Sequence, residues 1–227
     1  MPLLFRHHRR LLLLALLLCL ALSTLLAVVA PQTVAAQSET GTRSQQLLDQ
    51  LENGDPLQQE QAAQELAAIG SRSFVPDLTR IFMATDNPRP AATVLGAIGT
   101  PAALAVLVDG LSDEALTPRR NAAQLILLEK DVEAVPALVV GLQNRNPLTR
   151  RHSAQVLGFI GSPRAGNPLL RAAHDIDAGV RQEAVWALGE IGEARMQPAL
   201  KAIARSDPDL EVRIEAERAA LRVGGGF

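Results

Sequence analysis

One interval governs this chain. Four nine-residue segments align without gaps: AAQELAAIG (Ala62–Gly70), AATVLGAIG (Ala91–Gly99), SAQVLGFIG (Ser153–Gly161) and AVWALGEIG (Ala184–Gly192). Between Gly99 and Gly161 a degenerate copy, NAAQLILLEK, puts Lys130 in the glycine place, and AERAALRVG ends a further copy at Gly224. The intervals between these end points are 29, 31, 31, 31 and 32 residues. A period this regular belongs to a stack of small units, each burying its apolar face against its neighbours.

Each copy carries its own start signal. Asp55-Pro56, Asn87-Pro88, Thr117-Pro118, Asn146-Pro147 and Asp207-Pro208 precede the apolar stretches, and Asp177-Ala178 fills the place in the fifth copy. A capping side chain followed by Pro at the first helical position starts a helix, and the closing Gly suits its left-handed end. Every copy therefore opens with a helix of about four turns, here called A. A second helix, B, follows each Gly, as in EAVPALVVGL, where Val135, Leu138, Val139 and Leu142 recur at helical spacing. Pro76, Pro136, Pro168 and Pro198 stand near the B starts, where Pro is tolerated. SQQLLDQLE (Ser44–Glu52) reads as an unpaired B helix ahead of the first full unit. The Ala- and Leu-rich composition, with no Tyr, is a helical one.

An A–B hairpin of about 31 residues with cap, Arg, Leu-Gly-x-Ile-Gly and Val-Pro in fixed order resembles the short HEAT-like repeats of the phycobilin lyase type. The resemblance covers nearly all of residues 44–224. It implies an all-α, right-handed α-α superhelix, a HEAT-like solenoid of about six helical-hairpin repeats, with A helices convex and B helices concave.

The first 36 residues stand apart. A basic run, Arg6 to Arg10, leads into Leu11–Ala30, which has no charged residue, and then into TVAAQ. This is the order of a secretory signal peptide, with cleavage expected after Ala36. The apolar run is also about long enough to span a bilayer, so an uncleaved anchor is the alternative, and residues 11–30 would then be the membrane contact. The expected organisation is signal 1–36, linker 37–43, solenoid 44–224 and tail 225–227, with the solenoid exported to the periplasm or beyond. The one cysteine, Cys19, lies in the leader, so the solenoid has neither disulfide nor thiolate ligand. Three of the 22 Lys and Arg lie in the leader, leaving 19 against 24 Asp and Glu, a balance that disfavours nucleic acid as a partner.

The most regular polar feature is a ladder six residues apart: Asp113–Arg119, Asn144–Arg150, Asp175–Arg181 and Asp207–Arg213. Its expected role is structural. The acidic or amide group caps or pairs across each B–A junction, and the Arg ties one repeat to the next through its planar fork and packed stem. The first two A helices lack the Arg and carry Gln59 and Pro88 at its place. Trp186, the one tryptophan, is set beside Leu66 and Val94 of other copies, which makes core or inter-repeat packing its expected role. Candidate partner-binding residues on the B helices are Arg80, Asp109, Gln143, Arg171, His174 and Arg205, flanking an apolar centre around Val140.

No group points to bond-making chemistry. His152 and His174 are the two histidines outside the leader, and a metal centre needs three or four ligands. The deoxyhypusine hydroxylases, a HEAT-like family, hold iron on repeated His-Glu pairs, and no such pair occurs here. Ser153 beside His152 is a neighbouring pair on a helix, which points to different sides. No cofactor is expected. The functional expectation is an exported, non-catalytic scaffold that binds a protein or peptide partner. The alternative is a lyase- or chaperone-type subunit acting on a tetrapyrrole or protein-bound cofactor.

Overall fold

The structure is a computed structural model that describes residues 41–112 and 117–225. Among them all regular structure is helical. Residues 41–53 form α1. The A helices are α2 (Pro56–Ile69), α4 (Arg89–Ile98), α6 (Pro118–Glu129), α8 (Pro147–Ile160), α10 (Ala178–Ile191) and α12 (Leu210–Val223). The B helices are α3 (Val75–Ala84), α5 (Pro101–Asp109), α7 (Val135–Gly141), α9 (Gly166–Ala172) and α11 (Gln197–Ser206). From residue 48 onward the chain is one compact unit. Five A–B pairs thus follow α1, and α12 is a sixth A helix. The signal region and the end of the tail lie outside the described residues.

Local chemistry sets the helix ends. Asp55 accepts from the amides of Leu57 and Gln58, each at 2.9 Å, while the Gln58 side chain accepts from the Asp55 amide, a reciprocal capping box. Thr117, Asn146 and Asp177 cap α6, α8 and α10 as the sequence leads one to expect. Two starts differ. In α4 the N-cap is Pro88, and Asn87 spends its amide on Gln59 at 2.7 Å instead of capping. In α12 the cap is Asp209, because Asp207 is held by Arg181 and makes a turn to the Asp209 amide. The closing glycines Gly70, Gly99, Gly161 and Gly192 all have φ between 60° and 73°, the left-handed conformation that costs glycine little.

The core runs between the two layers. The Leu of each Leu-Gly pair, Leu95, Leu157 and Leu188, is fully buried, as is Leu66 at the same place in α2. Each contributes about 1.5–3 kcal/mol by leaving water. The Gly that follows has a different job. A Cβ on Gly158 would lie 2.5 Å from Cζ3 of Trp186 and 2.9 Å from Cα of Ala187, and one on Gly189 would lie 2.8 Å from Cβ of Ala219. α8 and α10, and α10 and α12, therefore approach at glycine-only distance. This close stacking positions every side chain discussed next.

Candidate functional site

The ladder is a set of inter-repeat clamps. Arg150 donates through Nε and Nη2 to both oxygens of Asp175, each at 2.8 Å, and through Nη1 to the carbonyl of Asn144 at 3.0 Å. Arg181 repeats this with Asp207, at 2.9 Å twice, and with the carbonyl of Asp175 at 3.1 Å. Each Arg thus meets the backbone of the residue six before it and the carboxylate of the next repeat. Asp175 and Asp207 do not pair with the Arg six residues on, Arg181 and Arg213, because each carboxylate turns back to the guanidinium of the preceding junction, Arg150 and Arg181. Burial pushes the Asp175 carboxyl up, but the Arg150 guanidinium and the Asp177 amide outweigh it and hold the group below the usual range. Asp207 is lowered in the same way by Arg181 and the Asp209 amide. Asp113 lies outside the described residues, and Arg119 donates to the carbonyl of Met83 at 2.9 Å. Asn144 donates to Asp109 at 3.3 Å.

The six residues put forward for partner binding do not converge on one place. Arg80 is held by a two-point ion pair with Glu52. Asp109 lines a groove between α5 and α7, Gln143 and Arg171 line another between α7 and α9, and Arg205 lines a third between α11 and α12. His174 is exposed and lines none of these. Two of these clefts lie between neighbouring B helices and the third between α11 and the A helix α12, so the candidate residues are spread over separate clefts and not one stripe.

The α5–α7 groove is the most apolar of them. It encloses about 400 Å³ between Leu104, Ala105 and Val108 on one side and Pro136, Ala137 and Val140 on the other. Val140 is 70% exposed, a solvent-facing aliphatic side chain that needs a reason. Asp109 and Asn144 close one end and Glu133 stands at the other, where Lys130 lies 4.0 Å from it. The sequence reading names Asp109 and Val140 here, but not the groove. Exposed apolar residues on two adjacent helices are the signal that would reveal it.

On the A-helix side Trp186 lies across Gly158 and meets Phe159 edge to face, with ring centroids 5.0 Å apart at 67°. Its register is not that of Leu66 and Val94: the aligned residues are Gln64, Thr93 and Gln155, whose side chains face outward from the buried Leu row. Trp186 is accordingly half-buried. It lines a polar recess of about 270 Å³ with Gln155, Gln182, Glu183 and Glu215. Burial raises the Glu183 carboxyl, against the opposing pull of Arg151 at 3.4 Å.

The residues do not supply the donor set of an iron hydroxylase. His152 is buried and donates Nδ1–H to the carbonyl of Leu111 at 2.7 Å. Burial lowers its pKa, as do the cations of Arg120 and Arg151, while the carbonyl acts the other way. Ser153 beside it is buried with no hydrogen-bond partner for its hydroxyl, so the two do not form a nucleophile–base pair. Among the described residues no three His, Cys, Asp or Glu side chains come together as a metal site. The described side chains therefore do not fit a resident iron.

Comparison with known proteins places these features. The family description "HEAT repeats" matches residues 44–128, 117–179 and 135–221. A curated relative, deoxyhypusine hydroxylase of Schizosaccharomyces pombe, is 32% identical over 95 residues, which are 41% of this chain and 30% of that protein. The match thus spans less than a third of the relative's length. Among solved structures, human deoxyhypusine hydroxylase in complex with glycerol is 21% identical over 79% of this chain and 83% of that one, with a TM-score of 0.45. A designed armadillo repeat protein in complex with the peptide (KR)4 is 21% identical over 78% and 98%, with a TM-score of 0.43. The curated relative is by name an enzyme, which overturns the expectation of a non-catalytic scaffold, and nothing found speaks for the lyase alternative. Nor does the match single out the phycobilin lyase type among such repeats. The recurring A–B pair, the glycine-spaced A layer and this match together show that the chain belongs to the HEAT-repeat family.

Proposed function

We propose that the chain serves an enzymatic activity on a protein, and that the α5–α7 groove seats a short segment of that protein. The observation that carries this is the groove itself: an apolar cleft with exposed Val140 on its wall, ended by the carboxylates of Asp109 and Glu133. Its size suits a few side chains of an extended segment. Apolar walls with the Asp109 carboxylate at one end, where no cation is paired with it among the described residues, favour an aliphatic residue flanked on that side by a cationic one, because the chain of Lys or Arg packs while its charge meets the rim. The enzymatic half rests on the hydroxylase relative. Its reaction is not carried over, since its ligand set has no counterpart here. The basic run and apolar stretch of residues 6–30 support export as the setting.

Fluorescence anisotropy tests the seating with two labelled hexapeptides, one alternating Leu and Lys, the other Leu and Glu. The basic peptide should bind at least 10-fold more tightly, Val140→Arg should abolish binding, and Asp109→Asn should erase much of the preference. Equal binding of both peptides, or binding indifferent to Val140→Arg, overturns it. A mass change on the basic peptide in cell extract, dependent on the added chain and lost with Val140→Arg, tests the enzymatic half.

A further inference from the structure

Trp186 stands at a register that is polar in the repeats before it: Gln64, Thr93, Gln124 and Gln155 hold that place in α2, α4, α6 and α8. The stack does not require an indole there. Gly96, the counterpart of Gly158 in α4, is covered by Ile126 with no aromatic ring. Packing over Gly158 and against Phe159 fixes the Trp186 ring, and its remaining surface lines the recess of about 270 Å³ on the A-helix side. A large ring held rigid and half open at a polar position is the feature to explain.

The polar lining of that recess has unused bonding capacity. Gln155 and Gln182 make no side-chain hydrogen bond among the described residues, and each amide is both donor and acceptor. Glu183 accepts Nε and Nη2 of Arg151 on Oε1 alone, each at 3.4 Å, longer than the roughly 2.8 Å of a close charge-assisted bond. Its Oε2 takes no bond among the described residues, although the side chain is only 17% exposed. Burial pushes this carboxyl up, as it does for a charge short of donors. Charge itself is matched: Arg151 stands against Glu183, while Arg222 holds Glu215 at 2.9 Å and Arg218 lies 3.6 Å from it. An ionic ligand of either sign gains little, because each carboxylate already has its cation.

A neutral ligand that suits this lining brings donors for Glu183 Oε2 and the two amide oxygens, acceptors for the two amide NH2 groups, and an apolar face for the indole. A sugar ring carries all three, with hydroxyls around its rim and C–H groups on its face, which the negative face of an aromatic ring attracts. We propose that this recess binds a neutral sugar, one pyranose ring set against Trp186 with its hydroxyls on Gln155, Gln182 and Glu183. The volume lies just below the range of about 300–1,000 Å³ common for drug-sized ligands, and it suits a single ring. The site does not share a lining residue with the α5–α7 groove, so the two stand or fall separately.

Trp186 is the one tryptophan and the chain has no tyrosine, so its emission reports the site directly. The probes are glucose, galactose, mannose and N-acetylglucosamine, each free and as its methyl glycoside, titrated into the full chain. At least one should change the emission saturably with a millimolar Kd. Gln155→Ala and Gln182→Ala should each weaken that sugar about 5-fold or more, the scale of one hydrogen bond, and leave the urea midpoint where it is, since neither amide bonds within the fold. Preference for the methyl glycoside supports the site as one for the end of a glycan, and preference for the free form supports it as one for a monosaccharide. No saturable change with any of the eight probes, or unchanged affinity in both variants, overturns the proposal. A response to tetramethylammonium chloride at lower concentration than to any sugar also overturns it, and assigns the recess to an organic cation.

Discussion

Arg150 and Asp175 bind each other across a repeat boundary, 25 residues apart, through two parallel bonds of 2.8 Å with both side chains 13% exposed. The same guanidinium holds the carbonyl of Asn144, so one side chain closes its own junction and grips the next.

Asp175→Asn keeps the shape and removes the charge. One amide nitrogen then faces the guanidinium, and the charge-assisted bonds are lost. The variant should unfold about 1.5–3 kcal/mol more easily in urea at pH 7. The pH dependence has a fixed sign. Asp175 has a folded pKa below its unfolded value of about 3.9, so its contribution is full above that value and is lost as pH falls through the lowered one. The gap between wild type and variant should be constant from pH 7 to about 5 and shrink below pH 4. A gap that widens in acid contradicts the clamp.

How far this arrangement is legible in the sequence can be judged from the same residues. The six-residue spacing of Asp175 and Arg181 is plain in the residue order, and so is the period. Which carboxylate each Arg takes is not, because spacing within a junction says nothing about which side chain turns toward the next repeat. Trp186 shows a second limit. Counting back from the closing Gly puts it with Gln155 and Thr93, at the edge of the buried row, and a shift of one or two positions puts it in the core. The α5–α7 groove depends on how far two B helices part, which side-chain volumes along the whole stack decide. No local motif encodes it.

Gly158→Ala should cost about 1–3 kcal/mol, the scale of overpacking in a close-packed interior. The added methyl meets Trp186 Cζ3 at 2.5 Å and the Ala187 Cα at 2.9 Å. The first can swing away, but the second is backbone. Because Trp186 is the one tryptophan, its emission reports on this contact alone. The variant should show a red-shifted spectrum in the folded state together with a lower urea midpoint. Adding Trp186→Ala should recover part of the stability and not all of it, since Ala187 remains in the way. Full recovery would place the close approach in the side chain and not in the helix spacing.

The leader is open to a direct measurement. Fusing residues 1–45 to a periplasmic reporter in a bacterial host and sequencing the mature product should give Gln37 as the first residue. Recovery of intact Met1 in the membrane fraction selects the anchor, and a cytoplasmic reporter removes export altogether.

His152 gives the fold a second pH dependence, at higher pH than the clamp. It is buried between Arg120 and Arg151, and its Nδ1–H bond to the carbonyl of Leu111 survives in the neutral ring. Its folded pKa lies below the unfolded value of about 6.5. Its contribution is therefore complete above pH 6.5 and is lost as pH falls through the lowered folded value, when the ring takes a proton in a buried site between two cations. His152→Leu removes the titration but leaves the Leu111 carbonyl without a donor, at a cost of about 1–3 kcal/mol. Urea midpoints should then fall between pH 7.5 and 5.5 for the wild type and stay nearly level for the variant, which starts lower. Equal slopes for the two proteins over that range would show that His152 is not the group that responds.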